Sequence, residues 1–318
     1  MTAREQRKGG SAVLIKFAAL FGIAVVVIVL GLTFLETPKS PENGASAAAA
    51  ADAFAGIALE AKAAIVIDMR TGETLYEKNA GTQLPLASLT KVALVLAVAE
   101  VLPVDSVITI PYYAGGTGES GHLNKGEQWR VRDVIDFTLV ASSNSGSEIL
   151  ADAANAALHE RFPESPAISA SLWRMNAIAQ ELGLTRTYFL NVSGLDLSET
   201  LAGAYGSARD VANLYAYAAA SDSSLFAETA RNGVLITEAS GAGTQNAVNT
   251  NDAQGAIAGL IMGKTGFTDL SGGNLAVVFD VGLAHPVVAV VLGSSEDGRF
   301  TDMRKLTERA RRSIVDAL

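Results

Sequence analysis

The longest run of apolar residues in the chain lies near its N-terminus. Phe17–Leu35 is nineteen residues long, carries no charge and is rich in Val, Ile, Leu and Phe. About 20 such residues are needed to span a bilayer as a helix. Residues 1–16 are basic, and a basic flank favours the cytoplasmic side. We therefore predict a cytoplasmic tail at 1–16 and an uncleaved transmembrane anchor at 17–35, with the rest of the chain outside the cytoplasm.

The alternative for this segment is a cleaved signal peptide. Such peptides have a shorter apolar core of roughly 7–15 residues, followed by small residues at the cleavage site. Ala45–Ala47 has the small residues, but it lies well past the end of the apolar run. Residues 36–52, with Pro38 and Pro41, have the composition of a linker. The folded domain is predicted at 53–318.

Apolar periodicity within this domain predicts both strands and helices. Ala63–Asp68 and Glu73–Glu77, separated by the turn Arg70–Gly72, predict a β-hairpin. Connections between the later strands are too short for helical crossovers, which favours antiparallel pairing. The later strands are predicted at Ile257–Met262, Asn274–Phe279 and Val287–Leu292; helices are predicted at 88–101, 131–139, 147–159, 171–183 and 207–220, and from Asp302 onward.

These elements indicate an α/β (α+β) domain. An antiparallel sheet would be flanked by terminal helices, with a helical region inserted and the functional cleft between the two parts. Val92–Ala99 has no polar face, so its helix should lie in the centre of the domain. The last helix carries an apolar stripe that should pack on the sheet and basic residues that we expect to be solvated. The stripe consists of Met303, Leu306, Ala310 and Ile314.

Composition excludes several functions. The chain has 24 Lys and Arg against 33 Asp and Glu, which argues against a general nucleic-acid-binding role. It has no cysteine, so disulfides, cysteine zinc sites and cysteine nucleophiles are excluded.

Ser88 and Lys91 give the first indication of chemistry. They are three residues apart at the start of the predicted apolar helix, so their side chains share one face, one turn apart. Serine is a weak nucleophile until a neighbour takes its proton. Lysine can do this only if burial or nearby positive charge keeps part of it neutral. Taken alone, the pair is more typical of an ordinary amphipathic helix start, with Ser88 as a cap and Lys91 solvated.

Two later stretches change this interpretation. Ser142 and Asn144 offer a hydroxyl and a carboxamide between two predicted helices, and Lys264–Thr265–Gly266 lies at the end of a predicted strand. Each string is common in proteins as a helix cap or a strand end. The order and spacing are specific, because 54 residues separate Ser88 from Ser142 and 122 separate Ser142 from Lys264.

The combination of S-x-x-K, S-x-N and K-T-G is the signature of penicillin-recognising serine enzymes. The surrounding sequence resembles the D-alanyl-D-alanine carboxypeptidases, which are low-molecular-mass penicillin-binding proteins of the serine D,D-peptidase type. The similar stretches are AIVIDMRTGETLYEKNAGTQLPLASLTK at 64–91, FLNVSGLD at 189–196, SARDVANL at 207–214 and GKTGFT at 263–268. The resemblance covers about residue 61 to the C-terminus and implies the β-lactamase/penicillin-binding-protein-like transpeptidase fold.

The resemblance implies an acyl-enzyme mechanism for three of these residues. Ser88 would attack the carbonyl between two D-alanines of a peptidoglycan stem peptide, and Lys91 would take its proton. Ser142 would relay a proton to the leaving amine. Loss of the terminal D-Ala would make the protein a carboxypeptidase of the bacterial cell wall.

The remaining motif residues would bind the substrate. Asn144 would hold the amide backbone, and Lys264 with Thr265 would bind the terminal carboxylate. Lys264 would also help to keep the first lysine neutral. Gly266 would let the strand lie close to the substrate. The backbone N–H of Phe267 would form an oxyanion hole with that of the nucleophile.

The same resemblance implies no cofactor and no metal, and β-lactam antibiotics as covalent inhibitors. His122, His159 and His285 fall outside the motifs, and we interpret them as structural or surface residues. With the N-terminal helix as membrane attachment, we expect a single-pass protein of the bacterial cell membrane. Its catalytic domain would lie on the periplasmic or extracellular side.

Other activities use similar machinery. A D,D-endopeptidase would cut peptide cross-links. A class A β-lactamase would need a glutamate in an E-x-x-L-N string, and Glu199 stands in a different context. A penicillin-binding sensor would need a cytoplasmic output domain, for which residues 1–16 are too few. Many family members also carry a second β-domain and a C-terminal anchor; here the chain stops one helix past the last predicted strand.

Overall fold

The computed structural model describes residues 53–112 and 122–315. The predicted tail, anchor and linker at 1–52 lie outside these residues. No helix within the two described ranges is both long and apolar enough to cross a membrane.

Short strands and helices follow one another along the described residues. The strands are β1 (Ala63–Asp68), β2 (Thr74–Lys78), β3 (Leu84–Pro85), β4 (Val107–Thr109), β5 (Gln128–Arg130), β6 (Tyr188–Phe189), β7 (Ala204–Gly206), β8 (Gly233–Thr237), β9 (Thr244–Val248), β10 (Leu260–Thr268), β11 (Gly272–Asp280) and β12 (Pro286–Ser294). The α-helices are α1 (Lys91–Ala99), α2 (Val131–Val140), α3 (Asn144–Arg161), α4 (Ala170–Glu181), α5 (Ala208–Asp222) and α6 (Gly298–Val315). Segments of 3-10 helix lie at Ala87–Thr90, Ser223–Ala230 and Gln254–Ala256.

An antiparallel sheet in the order β10-β11-β12-β1-β2 forms one part of the fold. It contains the predicted N-terminal hairpin and the three predicted later strands, which meet because β1 pairs with β12. Helix α6 packs on one face and buries the predicted apolar stripe. On the other face, residues such as Ile65 and Val290 join the core of the helical region. The predicted α/β class is confirmed.

The helical region surrounds α1. Residues from Lys91 to Val98 are all buried, as the absence of a polar face predicts. Helices α2, α3, α4 and α5 all contact α1. The first turn of the predicted helix is a 3-10 helix, and the α-helix itself begins at Lys91.

Some boundaries differ from the sequence prediction. Helix α3 begins at Asn144 instead of residue 147, because Ser143 Oγ accepts a hydrogen bond from the Gly146 N–H and caps it. Helix α4 begins at Ala170, one residue before the predicted start, and Ser171 Oγ donates to a backbone carbonyl of α3. The hairpin β8–β9 lies between Pro111 and Gly255, a stretch whose sequence pattern predicts mostly helices. The K-T-G motif lies within β10 instead of at a strand end.

The basic residues of α6 also differ from expectation. Lys305 Nζ donates to the carbonyl of Ala58 at 2.7 Å, and Arg309 donates to that of Ala53 at 2.8 Å. Both bonds give a backbone carbonyl a side-chain donor. They therefore hold the first described residues against the last helix.

Candidate active site

Ser88 lies in the 3-10 helix that immediately precedes α1. The preceding residue, Ala87, has a φ of +49°, a conformation that is uncommon for a side chain other than glycine. Thr90 Oγ1 donates to the Ala87 carbonyl at 2.7 Å. Gly194 lies against the same carbonyl, and a Cβ there would overlap it. These contacts hold the strained backbone that presents the partly exposed Ser88.

Lys91 is fully buried beneath Ser88. Its Nζ donates to Ser88 Oγ at 2.7 Å, to Asn144 Oδ1 at 2.9 Å and to the Ser193 carbonyl at 2.9 Å. Three acceptors match the three donors of an ammonium group. When the amine is neutral, its lone pair can accept the Ser88 proton at the same short distance. The geometry required of a general base is therefore present.

Lys264 places a second amine in the cleft. It is 2% exposed, and its Nζ lies 2.7 Å from Ser142 Oγ and 3.0 Å from the Thr265 carbonyl. Burial lowers the pKa of Lys264 well below its usual value, and repulsion from Lys91 and Arg299 lowers it further. Two ammonium groups in one buried cleft repel each other, so the arrangement favours a state in which one amine is neutral.

The loop between α2 and α3 places Ser142 and Asn144. Ser142 has a φ of +59°, so the chain turns sharply after α2, and Ser143 then caps α3. Asn144 is the first residue of α3, which directs its amide oxygen to Lys91. The two motif residues therefore approach different lysines from one tight turn.

Strand β10 passes directly beside the nucleophile. A Cβ at Gly266 would lie 2.8 Å from the Leu86 carbonyl and 3.2 Å from the Ser88 nitrogen. Only glycine allows this approach, as the sequence indicates. Thr265 Oγ1 shares a 2.5 Å hydrogen bond with Thr250. The side chain of Phe267 is 44% exposed next to the cleft. All eight predicted site residues thus converge on one place.

Arg299 was missed by the sequence analysis. It lies in the first turn of α6, is 7% exposed, and donates from Nη1 to the Gly266 carbonyl at 3.1 Å. Its Nε has no hydrogen-bond partner among the described residues. The predicted helix began at Asp302, so this arginine fell in an unassigned loop. Nothing in the sequence distinguishes it from the other arginines.

Two further residues fix the cleft. Asn274 Nδ2 donates to the carbonyls of Pro85 and Leu86, which join β11 to the segment before Ser88. Asp196 accepts a hydrogen bond from Thr268 Oγ1 at 3.0 Å.

No cluster of three His, Asp or Glu side chains suited to a metal occurs in 53–112 or 122–315.

A family model supports the same assignment. The model described as D-alanyl-D-alanine carboxypeptidase matches residues 45–296, which is most of the chain. This chain belongs to the D-alanyl-D-alanine carboxypeptidase family. The match includes every residue of the cleft described above except Arg299.

Individual members are similar over different lengths. The D-alanyl-D-alanine carboxypeptidase DacF of Bacillus subtilis is 34% identical over 49% of this chain and 38% of its own length. A D-alanyl-D-alanine endopeptidase of Pseudomonas aeruginosa is 30% identical over 49% of this chain and 46% of its own. The matches thus span less than half of either relative.

Solved structures show the same fold. Penicillin-binding protein D2 from Listeria monocytogenes, in its ampicillin-bound form, superposes with a TM-score of 0.65 at 28% identity. The superposition covers 80% of this chain and 98% of that one. The expected penicillin-binding-protein-like fold is confirmed.

Proposed function

We propose that this protein is a serine D,D-carboxypeptidase that removes the terminal D-Ala from peptidoglycan stem peptides. The observation that carries the proposal is the 2.7 Å contact between Ser88 Oγ and the buried Lys91 Nζ, together with the 2.7 Å contact between Lys264 Nζ and Ser142 Oγ. The carboxypeptidase name of DacF supports the choice of reaction.

Acylation begins at Ser88. Neutral Lys91 takes the Ser88 proton as Oγ bonds to the carbonyl carbon between the two D-alanines. The resulting oxyanion accepts hydrogen bonds from the backbone N–H groups of Ser88 and Phe267. The C–N bond breaks as Ser142 Oγ gives a proton to the leaving nitrogen. Lys91 then passes the proton it took from Ser88 to Ser142 Oγ and is neutral again, while Lys264 Nζ, 2.7 Å from Ser142 Oγ, holds this hydroxyl in place.

Deacylation uses the same groups. Water enters after D-Ala leaves, and Lys91 takes its proton as the oxygen bonds to the acyl carbon. The bond to Ser88 Oγ breaks, and Oγ regains a proton from Lys91. Nucleophile and base are then restored for another turnover.

Positive charge selects the C-terminal carboxylate. Lys264, Thr265 and Arg299 lie together along β10, and Arg299 has an unused Nε donor among the described contacts. A terminal carboxylate would offset the repulsion among these cations. A β-lactam carries a carboxylate and a strained amide, so we expect β-lactams to acylate Ser88. The ampicillin complex of the Listeria protein supports this expectation.

The test is turnover of a stem pentapeptide ending in D-Ala-D-Ala, followed by mass spectrometry of the purified full-length protein's products. We expect loss of one alanine with the parent protein and with Ser240→Ala, an exposed control. Ser88→Ala should abolish the loss. Turnover that survives Ser88→Ala would overturn the nucleophile assignment.

A second candidate is endopeptidase cleavage of peptide cross-links. The named endopeptidase of Pseudomonas aeruginosa supports it at 30% identity. A cross-linked muropeptide dimer, incubated in parallel, separates the two. Cleavage of the dimer with no loss of terminal D-Ala would assign the endopeptidase activity instead.

We further propose that the domain works outside the cytoplasmic membrane, attached by residues 17–35. Support comes from the length and the basic flank of this apolar segment. Protease added to intact spheroplasts should degrade the domain. Protection of the domain until the cells are lysed would contradict this topology.

A further inference from the structure

A cavity of about 450 Å³ lies between α2, the 3-10 helix at Ser223–Ala230 and β8. No predicted motif residue lines it. Its charged lining consists of three arginines and three carboxylates, so its formal charge is balanced. These residues are Arg130, Arg132, Asp133, Asp136, Glu228 and Arg231.

Four of these six charged residues form two ion pairs with each other. Arg130 Nε lies 2.7 Å from Asp133 Oδ2, and Arg231 lies 3.4 Å from Glu228. Two charged groups therefore lack an ion pair within the described residues, and they have opposite signs: Arg132 and Asp136. Arg132 donates one hydrogen bond, to the Ser224 carbonyl at 2.8 Å, and keeps other donors available.

Asp136 is the unusual member of this set. It is 6% exposed, lines the cavity, and makes no hydrogen bond or ion pair with the described residues. Burial, helped by the nearby charges of Glu228 and Asp133, raises the pKa of Asp136 to about 7. Arg132 and Arg130 act in the opposite direction. A buried carboxylate without a hydrogen-bonding partner is costly, and a cationic group in the cavity would offset that cost.

We propose that this cavity binds a small zwitterion, a free α-amino acid or a dipeptide, with its ammonium group at Asp136 and its carboxylate at Arg132. Such a ligand supplies one charge of each sign to the two groups that lack a partner. A simple amine would leave the arginine unpaired, and a simple carboxylate would leave the aspartate unpaired. The volume lies within the usual range for small-molecule sites. This site goes beyond the proposed function and does not depend on it.

The experiment is calorimetric titration of the purified full-length protein with glycylglycine and, separately, D-alanine. We expect saturable binding that is at least tenfold weaker in Asp136→Asn and in Arg132→Gln. Asp152→Asn, an exposed carboxylate of α3, serves as the matched control and should bind normally. Circular dichroism checks that each variant is folded. Arg132→Gln changes a residue at the cavity rim and keeps the test valid if Asp136→Asn does not fold.

Two further arms define the ligand and the location. Ethylammonium and acetate should each bind at least tenfold more weakly than glycylglycine. If ethylammonium bound as tightly as glycylglycine, the proposal that the ligand is a zwitterion would be wrong. Protein treated with ampicillin should bind the probes as before, because the cavity is separate from Ser88. The absence of saturable binding, or unchanged binding in Asp136→Asn, would overturn the site. Failure of ampicillin to acylate would count against the proposed function alone.

Discussion

Two groups of buried charges in this domain differ in how they are satisfied. In the cleft, Lys91 Nζ has three acceptors within 2.9 Å, and Lys264 Nζ contacts Ser142. In the cavity behind α2, Asp136 has no such partner among the described residues. A buried charge with a complete set of hydrogen bonds is held in place before substrate arrives, whereas an unpaired one is destabilising until something binds. The first group suits catalysis and the second suits ligand binding.

The largest effect should follow from breaking the cleft network at Lys91. Lys91→Ala removes the proposed general base and leaves Asn144 Oδ1 and the Ser193 carbonyl without this donor. We expect the rate of penicillin acylation to fall by about 10³-fold or more. Stopped-flow or mass-spectrometric acylation kinetics measure it. A loss below tenfold would show that another group activates Ser88.

A smaller loss is expected at the second lysine. Lys264→Gln keeps a donor near Ser142 but removes the charge that would bind the terminal carboxylate. Peptide turnover should fall by about 10²-fold, with most of the change in KM. A peptide whose terminal carboxylate is amidated should lose activity in the parent protein and change little in the variant. Equal sensitivity of both proteins to amidation would contradict the role of Lys264.

The close approach of β10 to the segment around Ser88 can be tested by adding one methyl group to β10. Gly266→Ala would place a Cβ 2.8 Å from the Leu86 carbonyl, so β10 must move away from Ser88. We expect acylation to slow by about tenfold, because the proposed oxyanion hole spans these two elements. Gly255→Ala is the matched control, since its Cβ meets no atom within 4 Å. Equal rates for both variants would argue against the packing constraint.

The buried carboxyl group of Asp136 should make the stability of the fold depend on pH. A carboxyl pKa of about 7 in the folded chain, above the ordinary 3.8, means that the native state loses stability as pH rises from about 4 to 7. Above pH 7 the cost is on the order of 4 kcal/mol. Asp136→Asn removes this ionisation, so its melting temperature should exceed that of the parent by several degrees at pH 8. The difference should shrink towards pH 4; a pH-independent difference would contradict the burial of an unpaired carboxyl.

The sequence predicts the parts of the cleft that depend on local spacing. Ser88 and Lys91 share a face because they are three residues apart. Ser207, where the fifth helix was predicted to begin, accepts a hydrogen bond from the Asp210 N–H and caps α5. The antiparallel sheet could be predicted because its strands are apolar runs joined by connections too short for helices. The central helix follows from its lack of a polar face.

Features that depend on distant contacts could not be predicted in this way. Arg299 contacts Gly266, 33 residues away, and its helix starts earlier than the apolar stripe indicates. The start of α3 at Asn144 depends on the capping hydrogen bond of Ser143, and the sequence does not show which serine of this loop makes it. The hairpin β8–β9 has little apolar alternation, because only Ile236 and Ala247 of its residues are buried. Asp136 resembles any helix carboxylate until its neighbours are known.

The residue that penicillin acylates identifies the nucleophile directly. The full-length protein is treated with penicillin, digested and analysed by tandem mass spectrometry. We expect one penicilloyl group, carried by Ser88 within the turn before α1, and none in Ser88→Ala. An adduct on another residue, or no adduct while the protein is folded, would contradict the assignment of this cleft as a serine D,D-peptidase site.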